Sequence, residues 1–290
     1  MAERPSFKYR FISFADALMS KPLAEVGAGR ARGAMRKSAR MQWLMGRRPS
    51  LERVTDETVA GVKCRRYVPS GALPGTFVYF HGGGWVLGDL DTHDVVAASF
   101  AVETKREVVS VDYRLAPEHR YPAALDDCVS VTRALGPNVV VAGDSAGGNL
   151  AASVAQALTV RAQVLIYPAV DCVSPWPSYE QFANGLILTK ESMQWFHREY
   201  VPDETKRAEP GCSPLKAESL RGLAAAYVLL AQCDVLRDEG RAYAKKLSEH
   251  GVETQLDEVS GTVHGFMNLH GFSEAPAATR RIAKWLEPRW

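Results

Sequence analysis

The chain has 290 residues, with 35 Lys or Arg against 33 Asp or Glu and a formal net charge of +2. Its hydrophobic content of 46% and charged content of 23% exclude a disordered or fibrous protein, and so small a net charge argues against a dedicated nucleic-acid binder. The balance is uneven, because residues 1–50 hold 11 basic and 3 acidic side chains (net +8) while the other 240 hold 24 and 30 (net −6).

Taken in chain order, residues 1–50 read as helices without strands. The apolar stretch Phe11–Met19 is not a signal-peptide core: it contains Asp16, follows Glu3, and lacks a small-residue cleavage site before the basic run from Arg30. Arg30, Arg32, Arg36, Lys37 and Arg40 lie among apolar residues that include Leu23, Met35 and Trp43. This reads as a helix with a solvated basic face in preference to a membrane-surface helix, with Gly27, Gly29 and Gly33 expected to weaken it as a continuous amphipathic helix. From residue 60 onward β-rich runs and helical patterns alternate. Strands are expected at Val62–Val68 and Thr76–Phe80, then a helix at His93–Thr104, a strand at Glu107–Asp112 and a helix at Ala123–Leu135. The strand Val139–Ala142, the helix Ala146–Leu158 and the strand Val164–Tyr167 follow. Residues 174–214 break the alternation with a long connection carrying its own helix, Lys190–Tyr200, between prolines at 175, 177, 202, 210 and 214. A connection this long inside a compact domain is usually functional. After it come the strand Ala226–Ala231, the helix Gly240–His250, the strand Thr254–Val259 and the helix Ala277–Glu287. Strands as continuously apolar as Val139–Ala142 must be covered on both faces, so the alternation predicts a doubly wound α/β domain with a parallel sheet.

No uncharged apolar run of about 18 residues occurs, so no membrane span is expected. Cys64, Cys128, Cys172, Cys212 and Cys233 are scattered, odd in number and never spaced C-x-x-C. That pattern fits reduced thiols in a cytoplasm, without a disulfide framework or a zinc site.

The most specific signal is Gly143-Asp144-Ser145-Ala146-Gly147, a G-x-S-x-G set between a strand and a helix. The glycines let strand and helix approach, and Ser145 is held at the apex of a tight turn over a helix N-terminus. Upstream, His81-Gly82-Gly83-Gly84-Trp85 follows a strand and exposes backbone N–H groups. Those of Gly82 and Gly83, with that of Ala146, are the expected donors to an oxyanion. A nucleophilic serine needs a base, and the base needs an orienting acid. Of seven histidines, His264 follows the last expected strand. Asp234 follows the strand before it, with Asp238 as rival acid. Asp238 reads instead as a carboxylate stabilising the first turn of a helix. The order Ser145, Asp234, His264 is the one that a strand–turn–helix nucleophile of this kind imposes.

Together, His81–Gly84, the run Asp112-Tyr113-Arg114-Leu115-Ala116-Pro117-Glu118-His119, the Gly143–Gly147 turn, Asp234–Glu239 and His264-Gly265-Phe266 resemble the hormone-sensitive-lipase-like branch of the α/β-hydrolase esterases, the bacterial family IV. Val235 departs from the proline common after the acid in that family. The resemblance implies an α/β-hydrolase fold, a mostly parallel central sheet flanked by helices, with a helical cap. It assigns residues 1–50 and 174–214 to the cap, and 51–173 and 215–290 to the catalytic domain. It further implies a serine carboxylesterase for short- to medium-chain esters, with no metal or organic cofactor, no nucleic-acid partner and a homodimer as a possible assembly. The same residues serve an amidase, lactonase or peptidase, and a catalytically silent hydrolase-fold receptor is the remaining alternative. Trp85 is a candidate substrate contact or a packing aromatic, as are the aromatics of 174–214 (Trp176, Tyr179, Phe182, Trp195, Phe196, Tyr200). Arg114 and Glu118 read as one ion-pair network beneath the site.

Overall fold

A computed structural model describes residues 4–9, 22–45, 49–184 and 187–290; the stretch Phe11–Met19 lies outside them. Residues 7–9 are helical, and two helices, α1 (Leu23–Val26) and α2 (Ala28–Met45), precede the sheet. Gly27, with φ +75°, makes the break between them. Gly29 and Gly33, expected to weaken the helix, lie within an unbroken α2. A glycine inside a helix costs only about 1 kcal/mol against alanine, so two of them do not end an element of 18 residues.

Eight strands form one sheet in the order β1-β2-β4-β3-β5-β6-β7-β8. They are β1 (Arg53–Val59), β2 (Val62–Val68), β3 (Leu73–Phe80), β4 (Arg106–Val111), β5 (Val139–Asp144), β6 (Ala162–Ile166), β7 (Ala226–Cys233) and β8 (Thr254–Val263). The pairs β1–β2 and β2–β4 are antiparallel and every other pair is parallel. Every residue of β5 and of β6 is buried, which is what their unbroken apolar runs required. Helices α3 (Asp94–Thr104), α4 (Ala123–Leu135), α5 (Ala146–Ala157), α8 (Arg237–Glu249) and α9 (Glu274–Leu286) pack around the sheet. Between β6 and β7 lie α6 (Pro177–Gln181) and α7 (Lys190–Tyr200).

Strand β1 was not expected. Its sequence RVTDETV is polar, and its charges serve the neighbouring strand: Asp56 pairs with Arg65 and Glu57 with Arg66. The hairpin turns on Ala60 and Gly61, both at positive φ, as a two-residue turn matching strand twist requires. An edge strand buries too little to show an apolar pattern.

Strands β4 and β5 flank β3 on opposite sides, so the chain reverses its winding direction there. Ligands of open parallel sheets collect at the carboxyl ends of strands beside such a switch. The loop 81–85, Ser145, Asp234 and His264 lie just beyond the ends of β3, β5, β7 and β8.

Candidate active site

The turn between β5 and α5 is strained by design of its sequence. Ser145 has φ +58° and ψ −119°, a conformation costing a non-glycine residue about 1–3 kcal/mol unless its surroundings over-determine it. They do. Its N–H donates to the Ile166 carbonyl at 2.8 Å, and its own carbonyl accepts from Asn149 at 3.0 Å and Ala169 at 3.2 Å. The flanking glycines are sterically required. A Cβ on Gly143 would stand 2.2 Å from the Gly147 carbonyl oxygen, and one on Gly147 would stand 1.9 Å from that of Phe80.

Three segments far apart in sequence converge on the serine. His264 Nε2 lies 3.0 Å from Ser145 Oγ, and its Nδ1 lies 2.7 Å from Asp234 Oδ2. Asp234 Oδ1 also accepts the Leu236 N–H at 3.0 Å, which fixes the carboxylate. The acid is fully buried, while Ser145 and His264 keep a small exposed surface. The Tyr167 ring packs on the imidazole with centroids 4.6 Å apart. Asp238, the rival acid, turns away from the imidazole and toward α6. It accepts the Ser178 N–H at 2.9 Å and pairs with Arg237 and Arg241.

The glycine run needs a correction. The Gly82 N–H, expected to point at an oxyanion, already donates to Asp144 Oδ1 at 2.8 Å. A buried N–H that has a carboxylate partner is not available to a second acceptor. By contrast, the N–H groups of Gly83, Gly84 and Ala146 meet no acceptor among the described residues. Gly83 and Gly84 have φ +122° and +61°, so the run needs glycine for its path as well as for exposure of its amides.

Asp144 is the residue that sequence reasoning passed over. It occupies the variable position of the G-x-S-x-G and is fully buried. Its Oδ1 accepts from the Tyr79 hydroxyl at 2.5 Å as well as from Gly82, and its Oδ2 lies 3.4 Å from His93 Nε2. Burial alone would raise its carboxyl. The neighbouring imidazole of His93 and the Tyr79 hydroxyl outweigh that and hold it below the usual carboxylate range. One carboxylate therefore ties the strand before the nucleophile to the start of the glycine turn. Beside it, burial and the nearby His93 push the His81 imidazole down to about 4. The sequence signal was an acidic residue at the end of an otherwise apolar strand, a position where an unpartnered charge would be costly.

Trp85, a candidate for substrate contact or for packing, has no exposed surface. Its indole stacks on Tyr200 of α7 with centroids 4.6 Å apart and planes 3° from parallel, so it is packing. Phe196, one turn earlier on α7, sits against Gly84 so closely that a Cβ there would come within 2.2 Å of the ring. Arg114 and Glu118 do not form one network: Arg114 holds Asp127, whereas Glu118 is held by Arg32 of α2. Of the basic face of α2, Arg32 is thus turned inward, while Arg30, Lys37 and Arg40 are exposed. Glu239 is a second buried acid that the sequence did not single out. It accepts the Val170 N–H at 2.7 Å and the Asp171 N–H at 3.3 Å, and burial pushes its carboxyl well above the usual range. It braces the loop after β6 whose Ala169 N–H holds the serine. All five cysteines are buried. Among the described residues no cluster of three or more His, Cys, Asp or Glu is placed to hold a metal ion, and no helix is long and apolar enough to cross a membrane.

A family profile described as an alpha/beta hydrolase fold matches residues 77–268. The chain is 42% identical over 253 residues to the carboxylic ester hydrolase LipN of Mycobacterium tuberculosis, covering 78% of this chain and 67% of that protein. It is 37% identical over 221 residues to an ethyl acetate hydrolase of Pseudomonas putida, covering 70% of each. Among solved structures it superposes on a hyperthermophilic esterase of the archaeon Pyrobaculum calidifontis with a TM-score of 0.92 at 36% identity, covering 98% of both chains.

Proposed function

Since the chain belongs to the hormone-sensitive-lipase-like branch of the α/β-hydrolase superfamily and is a carboxylic ester hydrolase, we propose that it cleaves short- to medium-chain esters through Ser145, His264 and Asp234. The observation that carries this reading is the continuous contact from Ser145 Oγ through the imidazole to Asp234, at 3.0 and 2.7 Å. A buried carboxylate on Nδ1 places the imidazole proton there and leaves Nε2 as the acceptor facing the serine.

In the proposed reaction, Ser145 Oγ attacks the ester carbonyl as its proton passes to His264 Nε2. The charge developing on the carbonyl oxygen is met by the N–H groups of Gly83, Gly84 and Ala146, at the N-terminus of α5. Preorganised donors of this kind do not need to reorient as charge appears. The tetrahedral species collapses when the imidazolium returns its proton to the departing alcohol. Water, deprotonated by the same imidazole, then releases the acid from Ser145. Asp234 stabilises the imidazolium at both stages.

Residues 1–50 and 174–214 form the cap in this reading, supported by the contacts of α2 and α7 with the glycine turn. Phe196, buried against that turn with Trp195 packed on it, narrows the space for an acyl chain, which favours short acids. The activity of the Pseudomonas putida relative on ethyl acetate points the same way.

The test is Ser145→Ala, assayed with p-nitrophenyl esters of increasing acyl length and with a fluorophosphonate probe. Turnover and labelling should both vanish in the variant, with activity in the native chain greatest on the short esters. Retained turnover would overturn the assignment. A folded native chain that neither labels nor turns over would point to a binding protein.

A further inference from the structure

The charge asymmetry of the chain has a local counterpart beside the glycine turn. Lys8 pairs with Glu274, Arg36 with Asp89, and Arg32 with Glu118. The first two are ordinary two-partner contacts. Arg32 is different, because its guanidinium reaches three acceptor groups on two segments at once. Its Nε donates to the Val86 carbonyl at 2.7 Å, and its Nη2 donates to the Ala116 carbonyl at 2.7 Å. The fork then closes on Glu118 through Nη1 at 3.0 Å and Nη2 at 2.7 Å.

Those carbonyls belong to the frame of the turn that carries the candidate oxyanion donors. The N–H groups of Val86 and Leu87 both donate to the Gly83 carbonyl, at 3.1 and 2.8 Å, and the Ala116 N–H donates to the Trp85 carbonyl at 2.9 Å. Arg32 therefore closes a ring of hydrogen bonds running from Gly83 through Val86 to Ala116 and back to Trp85. The enclosed residues Gly83, Gly84 and Trp85 have φ of +122°, +61° and +59°. The last is a bulky residue in a conformation it disfavours, and such strain persists only where neighbours over-determine it. The turn is also held by Phe196 against Gly84 and Tyr200 against Trp85.

We propose that Arg32 is a positioning residue for the oxyanion turn, so that docking of α2 and the presentation of the Gly83 and Gly84 N–H groups are one event. The proposal rests on the serine-hydrolase reading above. Lysine cannot replace it, because an ammonium on a flexible stem lacks the planar fork that serves two carbonyls and a carboxylate together. Release of the Val86 and Ala116 carbonyls lets the peptide units of Gly83 and Gly84 rotate away from the charge they would meet.

The experiment uses the full chain and three variants, Arg32→Met, Arg32→Lys and Glu118→Gln, each with a thermal melt. For each, kcat and KM are measured on p-nitrophenyl acetate, together with inhibition by an aryl trifluoromethyl ketone. That probe adds to the serine and leaves its own oxyanion in the hole. Arg32→Met should lower kcat roughly 10- to 100-fold, the cost of displaced preorganised donors, with KM little changed. The ketone should weaken by a similar factor. Arg32→Lys should recover little of this, and Glu118→Gln, which leaves both carbonyl bonds in place, should stay within about threefold of the native chain. A raised KM at native kcat would overturn the proposal, since Arg32 would then only hold the cap, and so would unchanged kcat and inhibition. If Arg32→Met fails to fold, Arg32→Lys carries the same test. Ser145→Ala, run alongside, separates the two ideas, because turnover retained there refutes the serine reading itself.

Discussion

Replacing Asp144 by alanine should cost far more than the loss of one side chain usually does. The carboxylate serves three buried groups: the Gly82 N–H at 2.8 Å, the Tyr79 hydroxyl at 2.5 Å and, at 3.4 Å, the His93 imidazole. Tyr79 and His93 are as inaccessible to bulk water as Asp144 itself. A buried donor stripped of its acceptor costs roughly 1–3 kcal/mol. With water entering the vacated space to satisfy one of the three, the other two make the loss for Asp144→Ala roughly 2–6 kcal/mol. Against a total stability of about 5–15 kcal/mol this is severe. Asp144→Asn keeps an oxygen for Tyr79 and Gly82 and gives up only the charge toward His93, so about 1–3 kcal/mol is expected. Equilibrium urea unfolding measures both, and ester hydrolysis in the folded window should fall for Ala more than for Asn. The acid side adds a sign. The folded carboxyl sits below its ordinary value of 3.8, so its stabilisation is complete above about pH 4 and is lost as pH falls through the folded value. Asp144→Asn should flatten that acid flank. An Ala variant within about 1 kcal/mol of the native chain, with kcat unchanged, would refute the reasoning.

The two acids near β7 should separate cleanly. Asp234→Asn should lower kcat on the order of 10³–10⁴-fold, as loss of the orienting carboxylate does. Asp238→Asn should leave kcat near native, because that side chain serves Ser178, Arg237 and Arg241; a loss equal to that of Asp234→Asn would reverse the assignment. Glu239 gives an opposite pH signature to Asp144. Its folded carboxyl lies well above the ordinary 4.5, so stability present below that value is lost as pH rises toward the folded one. Glu239→Gln should remove this downward slope in unfolding free energy as pH rises above about 4.5, and parallel slopes for the two proteins would refute a raised Glu239 carboxyl.

Much of the site was legible before any coordinates. The apolar run Val139–Ala142, the glycines on either side of Ser145, and the positions of Asp234 and His264 just beyond strands are all patterns of neighbouring residues. Local stereochemistry dictates them: a turn this tight admits only glycine at positions 143 and 147, and a strand buried on both faces admits only apolar residues. The order of the three catalytic candidates likewise follows from the order of strands. The polar β1 escaped because an edge strand carries no apolar signature. Gly29 and Gly33 weaken α2 without ending it.

What the chain order could not supply was the partner of each polar group. Three consecutive glycines look equivalent in sequence. The first is spent on Asp144, 62 residues away, which leaves Gly83 and Gly84 open. Arg32 read as one of several solvated cations on a basic face, yet it reaches carbonyls 54 and 84 residues further along. Glu118 found its counter-ion on the N-terminal helix, not at Arg114. Trp85 was equally suited to substrate or to packing until α7 laid Tyr200 across it. The physical reason is the same in each case. Propensity and periodicity act over a few neighbouring residues and are written in their order. Hydrogen-bond and ion-pair partners depend on which distant segments the packed sheet brings within about 3 Å, and that distance exists only in the folded chain.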